Sequence, residues 1–272
     1  MIRPPTVAGT FYPADRDTLE ETLRSVTSPY EADLNPAGPA LGIVVPHAGY
    51  VYSGHVAGAV YSRLHLPKRF IILCPNHTGL GRPLAVMSSG EWETPIGNVA
   101  VDTDLAMQLM ALDSDLEEDA QAHRSEHALE VQLPFLQFLT ESELKFVPIT
   151  VGTSDLGVLN RLGNAMAEVI DRCSDDILII ASSDMNHYES DPTTRVKDGM
   201  AIDRILVRDA DGLYNIVLSE GISMCGVGPA TAMLVAANRL GASNAELVRY
   251  ATSGDTFGDR DRVVGYAGII VS

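Results

Sequence analysis

The chain has 272 residues, of which 46% are hydrophobic, so it is long enough to bury a large core. Acidic residues outnumber basic residues by 36 to 19, and a net charge of −17 disfavours nucleic acid as a partner. The sequence has neither an apolar run long enough to cross a bilayer nor an apolar leader, so we expect a cytoplasmic protein with no membrane partner. The three cysteines predict neither a disulfide framework nor a zinc ribbon.

Hydrophobic periodicity alternates between helix and strand patterns along the chain. This predicts an α/β fold in which helices flank a central, mostly parallel or mixed sheet. The strand patterns cover residues 41–45, 69–75, 84–88, 99–101, 145–151, 176–183, 246–252 and 262–271. The helical patterns cover residues 15–26, 53–62, 103–112, 125–136, 156–173, 193–209 and 210–219, and a last helix begins at Pro229. Because no break in composition marks a linker, we predict a single domain over residues 1–272, with a loop at 31–40.

Some local signals refine these elements. Asp15 is the expected N-cap of the first helix, and Ser125 is the expected N-cap of the helix over 125–136. Pro134 predicts a kink in that helix, and Pro148 predicts that the strand at 145–151 is an edge strand or carries a bulge. In the helix over 53–62, Gly54 and Gly58 lie four residues apart, which would let it pack closely on the sheet.

Two strand patterns end in the same way. The apolar runs at 41–45 and 69–75 are typical of strands buried on both faces of a parallel sheet. Each run is closed by a proline and followed by a histidine, His47 in the first case and His77 in the second. The 30-residue spacing matches one βαβ unit, and if the two strands are parallel neighbours, both imidazoles face one crevice. Neutral imidazole suits iron, zinc and copper alike.

Further candidates follow other elements. Asp184 and His187 come after the strand at 176–183 and could act as an acid/base pair, although helix capping by Asp184 would also account for that position. Cys225 lies between glycine-rich turns before a helix N-terminus, where a lowered thiol pKa would favour the thiolate that ligates metals. Glu126 and His127, with His123 nearby, either line the same pocket or begin a solvated helix.

Seven short motifs run in order over nearly the whole chain. They are Ala-Gly-Thr-Phe-Tyr at 8–12, Pro-His-Ala-Gly-Tyr-Val-Tyr at 46–52, Pro-Asn-His at 75–77, Thr-Pro-Ile-Gly at 94–97, Glu-His-Ala-Leu-Glu-Val-Gln-Leu-Pro-Phe at 126–135, Ser-Ser-Asp-Met-Asn-His at 182–187 and Cys-Gly at 225–226. Together they resemble the Memo family, whose archaeal and bacterial members are known as AmmeMemoRadiSam system protein B.

The resemblance implies a fold and a metal site. The Memo family is similar in fold to the class III extradiol dioxygenases, non-haem iron enzymes that open catechol rings. The implied metal ligands are His47, His77 and Cys225, with Asp184 and His187 as catalytic residues in the same pocket. A thiolate in place of the dioxygenase carboxylate favours softer ions, so we expect iron (Fe²⁺) or copper rather than zinc, and ring cleavage does not follow from the resemblance.

Three functional hypotheses result. The first is a metal-dependent oxidoreductase acting on O₂ or a small organic molecule, in which Asp184 and His187 handle protons. The second is a binding module whose metal cradle recognises a peptide or partner protein without catalysis, and the third is a zinc hydrolase. In each case Tyr50, Glu126 and His127 are expected to line the pocket. The family name also implies a functional link to AMMECR-type and radical SAM proteins.

Overall fold

A computed structural model describes residues 1–29, 39–140 and 143–272, so most of the predicted loop at 31–40 lies outside the described residues. Within those ranges, twelve strands form one mixed sheet with helices packed against both faces. The predicted α/β fold class, with a central mixed sheet flanked by helices, is therefore confirmed.

The elements alternate along the chain much as the periodicity predicts. The strands are β1 (Ile2–Arg3), β2 (Gly42–Val45), β3 (Arg69–Pro75), β4 (Leu84–Val86), β5 (Glu91–Thr94), β6 (Gly97–Val101), β7 (Glu117–Glu118), β8 (Lys145–Val151), β9 (Ile177–Ser182), β10 (His187–Glu189), β11 (Ala245–Thr252) and β12 (Val263–Val271). The helices are α1 (Arg16–Thr27), α2 (Tyr50–Tyr61), α3 (Thr103–Leu112), α4 (Leu133–Leu139), α5 (Leu156–Arg172), α6 (Asp191–Leu206), α7 (Ala210–Ser219), α8 (Val227–Arg239) and α9 (Ser253–Phe257).

The order of the strands places the candidate residues at one edge of the sheet. It runs β1–β5–β6–β8–β3–β9–β2–β12–β10, while β11 pairs with β12 and β4 joins β8 and β7. The four central strands β8, β3, β9 and β2 are parallel, so their carboxyl ends share one edge. β2 and β3 are parallel but are not neighbours, because β9 lies between them and Ile179 pairs with both Ile71 and Gly42. A βαβ spacing fixes the direction of two strands but leaves room for a later strand between them.

Alternation along each strand divides the core between the two faces of the sheet. In β9, Ile179 and Ala181 pack into the core beneath α3, α5 and α8, whereas Leu178 and Ile180 pack into the core beneath α1, α2 and α4. Successive strand side chains point to opposite faces, so a strand buried on both sides is apolar throughout. This is why the continuous apolar runs identified the central strands.

Two local expectations are corrected. The strand β8 is not an edge strand: it pairs with β3 along its whole length, and its other side meets β6 at residues 145–146 and β4 at residues 149–151. Pro148 lies opposite Ile72 of β3, but on the other side of β8 it falls between β6 and β4 and is paired with neither, so the missing N–H is tolerated there. The helix expected over 125–136 begins only at Leu133, after a 3-10 turn at Glu130–Gln132, and Pro134 lies in its first turn rather than at a kink.

Candidate metal centre

Three loops at the carboxyl edge of the sheet carry residues predicted from the strand ends. His47 follows β2, His77 follows β3, and Asp184 follows β9, which lies between those two strands. Cys225 belongs to the loop just before α8. In open α/β sheets this edge is where ligands bind.

The two histidines and the cysteine converge on one point. The ring centroids of His47 and His77 are 5.2 Å apart, and Cys225 Sγ lies 3.3 Å from His47 Nε2. One potential ligand atom from each of these three residues lies within 4.8 Å of the other two. Two ligand atoms of a single ion, each about 2.0–2.3 Å from the metal, lie at most about 4.6 Å from one another, so these three atoms are nearly close enough to share an ion.

His47 is held rigidly and kept neutral. Only 2% of the residue is exposed, and its backbone N–H donates to Asp184 Oδ1 at 2.8 Å. Its Nδ1 lies 3.0 Å from the Ser182 hydroxyl. Burial lowers the pKa of the His47 imidazole well below its usual value, and the nearby rings of His77 and His127 lower it further. A neutral imidazole is the form that binds a metal.

His77 is oriented by the buried carboxylate of Glu126. The His77 backbone N–H donates to Glu126 Oε2 at 2.6 Å, and its Nδ1 lies 2.9 Å from Oε1. Burial opposes ionisation of Glu126, but hydrogen bonds from His77 and from the Ala128 N–H outweigh it and bring the Glu126 pKa down to about 2. The ionised carboxylate therefore accepts the Nδ1–H of His77 and leaves Nε2 of that ring available as a ligand.

Cys225 differs from its prediction in one respect. Burial raises the pKa of its thiol well above the usual value, and the neighbouring Asp184 carboxylate adds to the increase, so the metal-free thiol keeps its proton. The N-terminus of α8 was expected to favour the thiolate, but desolvation and a facing negative charge outweigh that effect. Gly226 permits the close approach of this loop, because a Cβ there would lie 2.4 Å from the Ser183 side chain.

Asp184 and His187 lie beside this cluster. Asp184 Oδ1 accepts from the backbone of His47 and Ala48, and Oδ2 lies 4.0 Å from His47 Nε2. Burial raises the pKa of the Asp184 carboxyl despite those hydrogen bonds. The His187 backbone N–H donates to Ser223 Oγ, and its Nδ1 lies 2.8 Å from the Ser223 carbonyl oxygen, which can only accept. His187 Nδ1 therefore carries a proton.

Comparison with known proteins shows the family of this chain. The sequence profile described as "Memo-like protein" matches residues 3–270. The chain belongs to the Memo-like family. A MEMO1 family protein of Methanopyrus kandleri is 42% identical over 99% of both chains, and one of Methanosarcina mazei is 44% identical over 99% of both. A MEMO1 family protein of Pyrobaculum arsenaticum is also 44% identical, over 99% of this chain and 98% of its own length.

A solved structure resembles the fold of this Memo-like chain at low sequence identity. An uncharacterized protein from Escherichia coli K12 superposes with a TM-score of 0.59 and 13% identity, covering 84% of this chain and 98% of its own. At that identity the likeness concerns the fold alone. No helix within the described parts of the chain has both the length and the apolar character needed to cross a membrane.

The other predicted pocket residues occupy different places in this Memo-like site. The His127 ring stacks on His77 with centroids 4.8 Å apart and meets His47 edge-on at 5.6 Å. The Tyr50 hydroxyl instead donates to the Val131 carbonyl at 2.6 Å, and its ring packs in the core against Phe135. His123 is fully buried against the Trp92 ring, and burial lowers its pKa to about 3.

Residues that the sequence did not single out hold the Glu126 loop in place. The Arg3 guanidinium forms a buried ion pair with Glu130 at 2.7 Å and donates to the Glu126 carbonyl at 2.7 Å. Glu130 also accepts from the Tyr12 hydroxyl at 2.7 Å and from the Thr6 backbone N–H. The N-terminal segment thus supports the loop that orients His77. The available signal was Glu130 between the apolar residues Leu129 and Val131, since a charge that is buried with such neighbours requires a partner.

Proposed function

We propose that this protein binds one iron or copper ion through His47, His77 and Cys225 and uses it for oxidoreductase chemistry on O₂ or a small organic molecule. The convergence of those three side chains supports the proposal most directly. Membership of the Memo-like family agrees with a metal-binding role.

The chemistry of the donor set fits such an ion. Two neutral imidazoles and one sulfur suit iron and copper, and a sulfur ligand favours softer ions than a carboxylate would. Both imidazoles have a hydrogen-bond partner at Nδ1, Ser182 for His47 and Glu126 for His77, as metal-binding histidines usually do. A bound iron or copper ion would supply the one-electron chemistry that no protein side chain at this site provides.

The surrounding residues would manage substrate and protons. Asp184 holds the backbone of the His47 loop with Oδ1 and presents Oδ2 to the cluster, so it can hold or release a proton there. The pKa of this carboxyl is raised towards neutral pH, and a group exchanges protons most effectively when its pKa is near the working pH. His187 keeps its Nδ1 proton on the Ser223 carbonyl, which leaves Nε2 to accept a proton. The His127 ring borders the same space and would restrict which molecules enter.

The test is metal analysis of protein purified anaerobically without chelator. We expect about one equivalent of iron or copper that responds to dithionite and air, and at least a tenfold weaker affinity for that ion in Cys225→Ser. Cys173→Ser is the matched control, because Cys173 caps the carboxyl end of α5.

Two results would replace this proposal with one of the other hypotheses. One equivalent of zinc without any redox response would indicate a zinc site. A metal-free protein whose partner binding is unchanged in His47→Ala would indicate a binding module.

A further inference from the structure

A continuous chain of buried polar side chains lies behind His47, on the side away from Cys225. It runs from Tyr61 in α2 through Gln132 to Ser182 at the end of β9. Each of these three residues is at most 1% exposed. A buried polar group without a partner destabilises the fold, so the donors and acceptors in this chain must match one another.

The orientation of the Gln132 amide follows from its neighbours. Its Nε2 lies 2.9 Å from the Pro46 carbonyl oxygen, which can only accept a hydrogen bond. Its Oε1 lies 2.9 Å from the Tyr61 hydroxyl, which donates to it. The opposite orientation would bring two carbonyl oxygens together at Pro46. Nε2 is therefore also the group that faces Ser182 Oγ, at 2.9 Å, and it donates there.

The single proton of the Ser182 hydroxyl is then assigned. Ser182 Oγ lies 2.6 Å from the Ala128 carbonyl oxygen, and only the serine proton can join those two atoms. The two lone pairs of Oγ remain, and Gln132 Nε2–H uses one of them. The other faces His47 Nδ1 at 3.0 Å. With its own proton committed, Ser182 can only accept from His47, so Nδ1 of that ring must carry the hydrogen.

We infer that Ser182 and Gln132 are positioning residues that fix His47 as its Nδ1–H tautomer and turn an unprotonated Nε2 towards Cys225. Nε2 is the atom 3.3 Å from Cys225 Sγ, so the lone pair required of a ligand is present before any ion arrives. The part of this inference that concerns metal affinity rests on the proposed function. The tautomer is a property of the metal-free protein, so that part of the inference does not depend on the proposed function.

Gln132 also fixes the ring through the backbone. Its bond to the Pro46 carbonyl holds the peptide immediately before His47, while the Asp184 carboxylate holds the His47 N–H on the other side of the same residue. One amide thus sets both the backbone position of His47 and the acceptor for its ring. Loss of Gln132 would loosen the ring without removing its hydrogen-bond acceptor, the Ser182 hydroxyl.

The first experiment measures the tautomer directly. Long-range ¹H–¹⁵N correlation spectra of metal-free wild type should show His47 as a single Nδ1–H form. In Ser182→Ala the methyl group cannot accept a hydrogen bond, so we expect a mixture of tautomers or the Nε2–H form. Ser62→Ala is the matched control: it removes another buried serine hydroxyl, one that donates to the Gly58 carbonyl within α2, and should leave the His47 signals unchanged.

The second experiment measures affinity with Co²⁺, whose visible absorption reports its ligands. Relative to wild type, Ser182→Ala should bind Co²⁺ about 10- to 100-fold more weakly. Gln132→Met should lose less, about 3- to 10-fold, and Tyr61→Phe less again, because each lies one hydrogen bond further from the ring. This graded series remains informative if Ser182→Ala does not fold.

The outcomes separate the two proposals. If wild type does not bind metal but His47 is a pure Nδ1–H tautomer that Ser182→Ala disturbs, the positioning role stands and the proposed function fails. If His47 is the Nε2–H tautomer in metal-free wild type, or if Ser182→Ala and Gln132→Met change neither the tautomer nor the Co²⁺ affinity, the positioning role is wrong.

Discussion

The two histidines of the candidate metal centre have hydrogen-bond partners of different charge at Nδ1. His77 donates from Nδ1 to the ionised carboxylate of Glu126, whereas the corresponding partner of His47 is the neutral hydroxyl of Ser182. A carboxylate partner raises the basicity of an imidazole more than a hydroxyl does. His77 is therefore the histidine of the pair that would donate its electron pair to a metal more strongly. Both arrangements engage Nδ1 and leave Nε2 as the remaining ring nitrogen. Burial alone would lower the pKa of His77, but the hydrogen bond and charge of Glu126 outweigh it and raise that pKa, so a metal has to displace a proton from His77 more often than from the buried, neutral His47.

Asp198 is a buried carboxyl close to this site but outside it. Its Oδ1 accepts from the Asn186 backbone N–H at 2.8 Å and its Oδ2 from the Tyr250 hydroxyl at 2.7 Å. Burial raises the pKa of Asp198, and these hydrogen bonds offset only part of the increase, which brings the pKa to about 6. The Asn186 side chain in turn accepts from Ser223, and Ser223 accepts from the His187 backbone N–H. Asp198 is therefore connected to His187 through two intervening residues.

Replacing Asp198 with Asn should change how stability depends on pH. A carboxyl whose pKa is higher in the folded state than in the unfolded state stabilises the fold most below about pH 4, and this stabilisation is lost as the pH rises through about 6. With a pKa of about 6 in the folded protein and about 4 in the unfolded chain, this stabilisation amounts to about 3 kcal/mol. Asp198→Asn should thus gain about 3 kcal/mol in unfolding free energy relative to wild type between pH 4 and pH 7.

Urea unfolding at a series of pH values measures this difference. The amide introduced by Asp198→Asn can still accept from the Asn186 N–H and meet the Tyr250 hydroxyl, so the packing should survive. Asp203→Asn, on the exposed side of the same helix, controls for the loss of one negative charge. A difference between wild type and Asp198→Asn that stays constant from pH 4 to pH 7 would contradict the assignment.

At the scale of elements, α1 and α2 touch backbone to backbone at one glycine. A Cβ on Gly58 would lie 2.2 Å from the Val26 carbonyl oxygen, and the backbone of α1 cannot move aside as a flexible side chain could. The sequence predicted a close approach here, but to the sheet; the structure shows that Gly58 faces the end of α1 instead.

Gly58→Ala should therefore destabilise the fold although it improves helix propensity. The propensity gain is at most about 1 kcal/mol, whereas overpacking against a fixed neighbour costs about 1–3 kcal/mol or more. We expect a net loss of about 1–2 kcal/mol and a Tm about 2–8 °C lower. Gly199→Ala in α6 is the matched control, since a Cβ there meets nothing within 4 Å, and it should raise the Tm slightly. Equal effects of the two substitutions on thermal unfolding would refute this packing argument.

The sequence predicted the helices and strands better than it predicted which strands pair with one another. Buried parallel strands are apolar on both faces, which made β3 and β9 recognisable from local pattern alone. The insertion of β9 between β2 and β3 depends on pairing between distant segments, and no local signal specifies it. The short strands β1, β7 and β10 have two or three residues each, too few for any period to register.

The candidate site was predictable to the same degree. His47 and His77 stood out because equivalent strand ends face one edge of a parallel sheet. The loop carrying Glu126 was mistaken for helix, since its apolar spacing fits a helical period; its conformation is set instead by hydrogen bonds to Arg3 and His77. Gln132 and Ser182 lie within the motifs at 126–135 and 182–187, but neither they nor Arg3 could be assigned a role, because an outer hydrogen-bond partner is defined by geometry and not by residue type.

For the whole molecule, the dominant electrostatic fact is the excess of negative charge. With a net charge of −17, many surface carboxylates lack a basic partner and repel one another in the compact state. Exposed pairs such as Arg16–Glu20 and Arg161–Asp115 oppose this repulsion, but solvent and salt screen an exposed ion pair, so each contributes little to stability. Salt screens both effects, so their balance decides the response to KCl.

We expect self-repulsion to dominate, and stability to rise with salt. Between about 0.1 M and 1 M KCl the screening length falls from about 10 Å to about 3 Å, which removes repulsion between separated carboxylates and leaves buried pairs such as Arg3–Glu130 nearly unaffected. The unfolding free energy should increase by about 1 kcal/mol, a rise of about 2–4 °C in Tm that calorimetry can resolve. Replacing the exposed Glu21, Asp203 and Glu220 with Gln, Asn and Gln removes three negative charges and should reduce this increase. A Tm that stays level or falls with KCl would mean that the surface ion pairs, and not the excess of acidic residues, govern the electrostatic stability of the fold.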